Sequence, residues 1–219
     1  MLSHIKTEIT QLVVDRHVYK EVLAIVRANP TLRDLPDDFY AWMRRLYIES
    51  MTIRVRRLVD THWKKPLSFV GLMDEIADHP EVLTRERFVQ RYPKNIRLHV
   101  ADRDFDNYSR PGAAHVTPSI IRNHRRRLMK AQRRLHDFVD KHVAHKDRRP
   151  LRRLPTFEEL DACVDLLEEL LREYIGMIEA RALTQVLPVW QYDWKAPFRV
   201  PWIPHGPSKD HETMVEDDR

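Results

Sequence analysis

From Ile5 to Val26 the apolar side chains return every three or four residues, through Ile9, Leu12, Val13, Val18, Val22, Leu23 and Ile25. A repeat near 3.6 places them on one face of a helix, whereas a strand would need strict alternation. The spacing predicts one long amphipathic helix over Leu2 to Ala28, stopped by Asn29-Pro30. The same rhythm recurs along most of the chain. Asp37 and Asp38 can cap and charge a second helix, which carries a wide apolar face from Phe39, Trp42, Met43, Leu46 and Tyr47 to Met51, Ile53, Val55, Leu58 and Val59. It should end between His62 and Lys65, before Pro66. Shorter helices follow over Leu67 to Ala77 and Thr84 to Tyr92.

Glycine reinforces this reading. There are 4 glycines in 219 residues. An all-β chain needs more of them for its turns, and the phosphate-cradling loops of Walker and Rossmann sites need several in a cluster. Neither site is present. Hydrophobic residues at 42% can still build a core, and no apolar run approaches the roughly 20 residues of a membrane helix.

Pro93 to Val116 is the least regular stretch. Ile96, Leu98 and Val100 alternate with polar residues, which leaves room for a short strand but favours a loop. Asp102, Asp104 and Asp106 imitate the start of a calcium loop. Asn107 stands where that loop needs Gly and Ala113 where it needs Glu, so calcium is excluded.

Thr117-Pro118 then opens the strongest helix, a cap followed by Pro at the first helical position. It should run to about Asp147, with the stripe Ile121, His124, Leu128, Ala131, Leu135, Phe138, His142 and His145. Thr156-Phe157-Glu158-Glu159 is a capping box for the last helix, whose stripe is Leu160, Val164, Leu167, Leu171, Tyr174, Ile178 and Leu183. Short polar connections favour antiparallel neighbours, so the expected fold is all-α: an antiparallel helical bundle over residues 1–187. After it, Pro188, Pro197, Pro201, Pro204 and Pro207 exclude a regular helix, while Trp190, Tyr192, Trp194, Phe198 and Trp202 are too apolar for a free tail. Residues 188–207 should form an extended aromatic arm, packed on the bundle or a second subunit, or serving as a partner-peptide groove. Residues 208–219 read as a disordered tail.

Charge is segregated. Arg122 to Arg153 holds thirteen arginines and lysines against Asp137, Asp140 and Asp147, and the following segment is acidic from Glu158 to Glu179 with one Arg172. Arg125, Arg126, Lys130, Arg133 and Arg134 crowd the polar side of one helix and form the candidate nucleic-acid surface. The alternative is that basic and acidic helices neutralise each other, within the chain or across a dimer. The single Cys163 has no partner for an intrachain disulfide, and Met1 to Val14 lacks a secretory apolar core, so a reducing, cytoplasmic setting is expected.

His142 and His145 lie on the apolar side of a helix near its end. As a zinc pair they lack a third ligand at a recognisable spacing, so neither metal nor cofactor is expected. As proton-transfer groups they are suited, since imidazole titrates near neutrality. The run Asp140-Lys141-His142-Val143-Ala144-His145-Lys146-Asp147 resembles the signature of the AbiU-type abortive-infection branch of the HEPN superfamily. So do Ser68-Phe69-Val70-Gly71-Leu72-Met73-Asp74-Glu75-Ile76 and Leu83-Thr84-Arg85-Glu86-Arg87-Phe88, and so does the order of elements.

The resemblance implies a helical, dimeric protein. It also implies a metal-independent ribonuclease of phage-defence or toxin–antitoxin context, acting on RNA and met by an antitoxin. Such domains carry an arginine, a short spacer and a histidine, with two copies meeting across the dimer. His145 corresponds to that histidine, but the positions where the arginine belongs hold Phe138, Val139 and Asp140. Lys141 and Arg148 are the nearest substitutes, and Lys lacks the bidentate fork of Arg. The candidate catalytic set is therefore His145, His142, Lys141 and Arg148. Arg56 or Arg57 with His62, Arg110 with His115 and Arg199 with His205 match the spacing literally, as chance allows with 12 histidines. The other reading is a non-catalytic helical module that binds protein or nucleic acid.

Overall fold

A computed structural model describes residues 1–33, 38–61, 67–93, 100–140 and 155–202. The described residues are helical, with no named strand and a single isolated antiparallel bridge between Thr84 and His115. Helix α1 spans Leu2–Ala28, α2 Pro30–Arg33, α3 Asp38–Leu58, α4 Phe69–Asp78, α5 Arg85–Gln90, α6 Asp102–Phe105, α7 Pro118–Phe138 and α8 Phe157–Glu179.

The helix ends follow the local chemistry. Asn29 leaves α1 in an extended conformation, and its side-chain oxygen accepts from the N–H groups of Thr31 and Leu32, so the residue that stops α1 starts α2. Ser68 caps α4 by accepting from Gly71 N at 3.0 Å, and its hydroxyl donates to the Asp60 carbonyl at 2.7 Å. Thr84 caps α5. The capping box of α8 is complete, with Thr156 Oγ1 accepting from Glu159 N and Glu159 Oε2 accepting from Thr156 N. Thr117 differs from expectation. It occupies the cap position of α7, but its hydroxyl oxygen accepts from Arg110 N and gives no bond to the helix.

Ion pairs fix the register. Lys20 meets Asp161 and Arg16 meets Asp165 and Glu168, so α1 and α8 run antiparallel. His124 with Glu173, Arg127 with Glu169 and Arg134 with Glu159 give the same sense for α7 and α8. Arg125 with Asp74 and Arg122 with Asp78 do so for α4 and α7. Helices α1, α3, α7 and α8 close a four-membered ring of neighbours, with α4 against α7. Its interior holds Ile5, Ile9, Leu12, Met51, Val55, Met73, Leu128, Leu135, Val164, Leu167, Leu171 and Tyr174, and Phe69 meets the Tyr174 ring edge-on at 5.0 Å.

Three expectations shift. The apolar face of α3 is buried only from Met51 onward, while Phe39, Trp42 and Leu46 stay exposed. Leu183 lies beyond the end of α8, half-buried against the core. The aspartates of the irregular stretch are organised by an arginine: Arg85 donates to the carbonyls of Ala113 and Asp102, to Asp106 Oδ1 at 2.5 Å and to Ser109 Oγ. Of the alternating residues there, Ile96 and Leu98 lie outside the described ones.

Met1–Leu187 forms one compact unit, and a second begins at Pro188. In the second, Ala196–Arg199 makes a turn of 3-10 helix, with Pro197 in its first turn, where a missing N–H costs nothing. The rings of Trp190, Trp194, Phe198 and Trp202 follow one another at 5.9–6.4 Å between centroids, and Lys195 sits over the Trp194 ring.

Candidate functional site

The C-terminal ends of α3 and α7 border a hollow of about 340 Å³ lined by Arg56, Val59, Thr61, Met129, Gln132, Arg133, His136 and Asp137. Its polar groups form a chain. His136 Nε2 lies 3.1 Å from Asp140 Oδ2, one helical turn later. Arg56 Nε lies 3.5 Å from the other oxygen of Asp140, and Arg56 Nη1 lies 3.3 Å from Asp60 Oδ1. Asp140 thus bridges an imidazole of α7 and a guanidinium of α3.

Three buried atoms here are left without a hydrogen-bond partner: Arg56 Nε, Gln132 Oε1 and His136 Nδ1. Gln132 is 4% exposed and sits within the core stripe of α7, its amide N–H reaching only Met129. Unsatisfied buried polar atoms cost free energy, and this hollow gathers three of them.

The five candidate nucleic-acid contacts divide into two groups. Arg125 is spent on Asp74 at 2.7 Å, and Arg134 on Glu159. Arg126 reaches only Asn123 of its own helix, and Lys130 and Arg133 make no ion pair among the described residues. Arg126, Lys130 and Arg133 are exposed and follow one another at helical spacing, so they form a basic track along α7 toward the hollow. Both readings of the charge segregation therefore hold in part: the acids of α8 neutralise one edge of α7, and the other edge stays cationic.

A family model describing AbiU2 proteins matches residues 1–193. The chain belongs to the HEPN_AbiU2 family. That membership carries the all-α fold and the abortive-infection, HEPN-type assignment. No curated protein and no solved structure matches the chain closely enough to extend the comparison.

The run that resembles the AbiU-type signature begins at Asp140, whose carboxylate meets His136 and Arg56 beside the hollow. The candidate residues Lys141, His142, His145 and Arg148 lie outside the described residues, as does His62. Residue-by-residue reading missed His136 and Gln132 and took Arg56 as a chance match. The available signal was His136 with Asp140, an i, i+4 pair on a helix face. Among the described residues no three His, Cys, Asp or Glu side chains converge on a metal position, and no helix is long and apolar enough to cross a membrane. Cys163 is fully buried, and burial pushes its thiol up to about 12, so it is no nucleophile near neutrality.

A second, larger hollow of about 870 Å³ lies between α1, α2, α3 and the start of α8. The Tyr19 and Tyr47 rings stack there at 3.8 Å, with Phe157 parallel beside them. Burial raises both tyrosines, Tyr47 the more strongly, so they are neutral.

Proposed function

We propose that this HEPN_AbiU2 protein is a metal-independent endoribonuclease of an abortive-infection or toxin–antitoxin system, acting as a homodimer in the cytoplasm. The observation that carries the proposal is the unpaired basic track Arg126, Lys130, Arg133, which leads along α7 to a polar hollow at the threshold of the HEPN signature. RNA lies along the track through its phosphates. In the reaction a base takes the proton of a ribose 2′-hydroxyl, the oxygen attacks the adjacent phosphorus, and the bond to the 5′-oxygen breaks. That oxygen leaves with a proton from an acid, giving a 2′,3′-cyclic phosphate and a 5′-hydroxyl. His145 takes the principal role that the resemblance assigns to it, His142 supports it, and Lys141 or Arg148 supplies positive charge to the phosphorane. The exposed Phe39, Trp42 and Leu46 supply apolar surface for the dimer.

The test is incubation of purified protein with single-stranded RNA in excess EDTA. Cleavage to cyclic-phosphate ends, abolished in His145→Ala with an unchanged melting temperature, supports the reading. Full activity in His145→Ala moves the chemistry elsewhere, with Arg57 and His62 the next pair to replace. The absence of cleavage with any RNA leaves the non-catalytic module, which the pairing of Arg125, Arg127 and Arg134 with acids favours. A monomer by light scattering at tens of micromolar removes the dimer.

A further inference from the structure

We propose that the hollow bordered by α1, α2, α3 and the start of α8 binds a nucleotide, with the base stacked on the Tyr47–Phe157 surface and the phosphate held by Arg27 beside Arg33 and Arg44. The inference does not rest on the ribonuclease reading, since a nucleotide can bind there whether or not the protein cuts RNA.

Part of the lining is aromatic, in a space that suits a small molecule. Its volume of about 870 Å³ falls within the about 300–1,000 Å³ usual for such sites. The Tyr19 and Tyr47 planes are 5° apart, and Phe157 lies within 15° of both, so the three rings share one orientation. Tyr19 is the buried member. Phe157 is 38% exposed and Tyr47 half-buried, so these two can meet a planar ligand. Every nucleobase has a flat π face that stacks on rings of this kind.

The rest of the lining favours an anion. Lys20, Arg27, Arg33 and Arg44 border the same space as Glu158 and Asp161. Both acids are engaged already. Lys20 holds Asp161 at 2.8 Å, and Glu158 folds back on the Thr156 hydroxyl and its own backbone N–H. The other cations are three exposed guanidiniums from three helices, Arg27 on α1, Arg33 on α2 and Arg44 on α3. Arg27 makes no ion pair among the described residues. They stand close to the rings: burial raises the Tyr19 phenol, and Arg44 and then Arg27 oppose it. A guanidinium fork matches two phosphate oxygens.

The two parts together select the ligand. Inorganic phosphate offers no ring, and a nucleoside offers no charge. A nucleotide offers both, whether free or as one unit of a single-stranded RNA.

The experiment is calorimetry on the full-length protein in EDTA. The probes are ADP, adenosine, inorganic pyrophosphate and a 2′-O-methyl hexa-adenylate that resists cleavage. ADP should bind at least about tenfold more tightly than adenosine or pyrophosphate, because each of those lacks one part. Phe157→Leu keeps an apolar side chain but removes the stacking face. It should weaken ADP about fivefold or more and leave pyrophosphate unchanged. Arg27→Gln removes an exposed charge, so the melting temperature should hold, and it should weaken ADP and pyrophosphate while leaving adenosine unchanged. A second measurement needs no variant: ADP should shift the Tyr47 ring resonances of the wild-type protein, and pyrophosphate should not. Hexa-adenylate that binds with the same dependence on Phe157 and Arg27, where millimolar ADP does not, identifies an RNA strand as the source and upholds the site. Pyrophosphate as tight as ADP reduces the hollow to an anion patch and overturns the proposal. Adenosine as tight as ADP, ADP affinity unchanged in both variants, or no binding of either ADP or hexa-adenylate overturns it as well.

Discussion

His124 on α7 and Glu173 on α8 approach to 3.3 Å between Nε2 and Oε2, across the edge where the basic and acidic helices meet. Their titrations are displaced in opposite directions. Burial and then the nearby Arg127 lower the His124 imidazole, against a smaller opposing effect of Glu169. Burial and Glu169 raise the Glu173 carboxyl, against Arg127. Tyr174 faces the same imidazole at 6.1 Å between rings.

A pH dependence follows with a definite sign. The unfolded chain protonates His124 near 6.5 and the folded chain only at lower pH. Acidification through that value therefore favours unfolding until the folded imidazole also protonates. Glu173 acts the other way at lower pH, because the folded carboxyl takes its proton before the unfolded one does at about 4.5. Denaturation of wild type and His124→Gln at about pH 7 and about pH 5.5 separates the two. Wild type should lose more stability over that interval than the variant. Equal losses would mean that His124 titrates normally.

The capping box gives a local prediction. Thr156→Ala removes the acceptor for Glu159 N and should cost about 1 kcal/mol in urea unfolding. Glu159 also holds Arg134, so Glu159→Ala should cost more than Thr156→Ala.

Leu167 is fully buried in α8. Leu167→Ala should destabilise the bundle by about 2–5 kcal/mol, the range for a leucine truncated in a packed core. A change under 1 kcal/mol at equal m-value would show that the interior collapses around the gap.

RNA affinity should fall with salt and should depend on which arginines are already paired. Lys130→Ala and Arg126→Ala should each reduce the slope of log affinity against log salt by about 1. Arg125→Ala, which breaks a pair with Asp74, should lower stability more than it lowers the slope. Affinity that stays flat from low to physiological salt would show that the track is not an RNA surface.

The long elements were legible because their information is periodic. The Ile5 to Val26 stripe, the Asn29-Pro30 stop and the Thr156 capping box each encode a boundary within a few neighbouring residues, and the structure reproduces them. What depends on distant partners was not legible. Periodicity alone marked the α3 residues Phe39, Trp42 and Leu46 as core, but burial depends on what faces them, and they are exposed. Arg125 and Arg126 are adjacent in sequence and alike in type. Only the placement of Asp74 on α4 separates a spent charge from an exposed one. The cluster at Asp140 was hidden for the same reason, since Arg56 comes from α3, while His136 lies on α7 and Asp140 just beyond its end.

The pairing of α1 with α8 also bears on how the molecule comes into being. Ile5, Ile9 and Leu12 find their cover among residues that include Leu160, Val164 and Leu167, and Arg16 and Lys20 find their acids at Asp161, Asp165 and Glu168. Ribosomes deliver the first of these segments long before the last. Until α8 emerges, the N-terminal helix can meet α3 but lacks its cover on the other side, and the ring of helices that shapes the hollow at Arg56 and His136 cannot close. A chain cut short before Glu179, by abortive translation or by a protease, would be an open apolar helix set fit for degradation. Whatever the bundle binds, its competence arrives only with the final turns of α8.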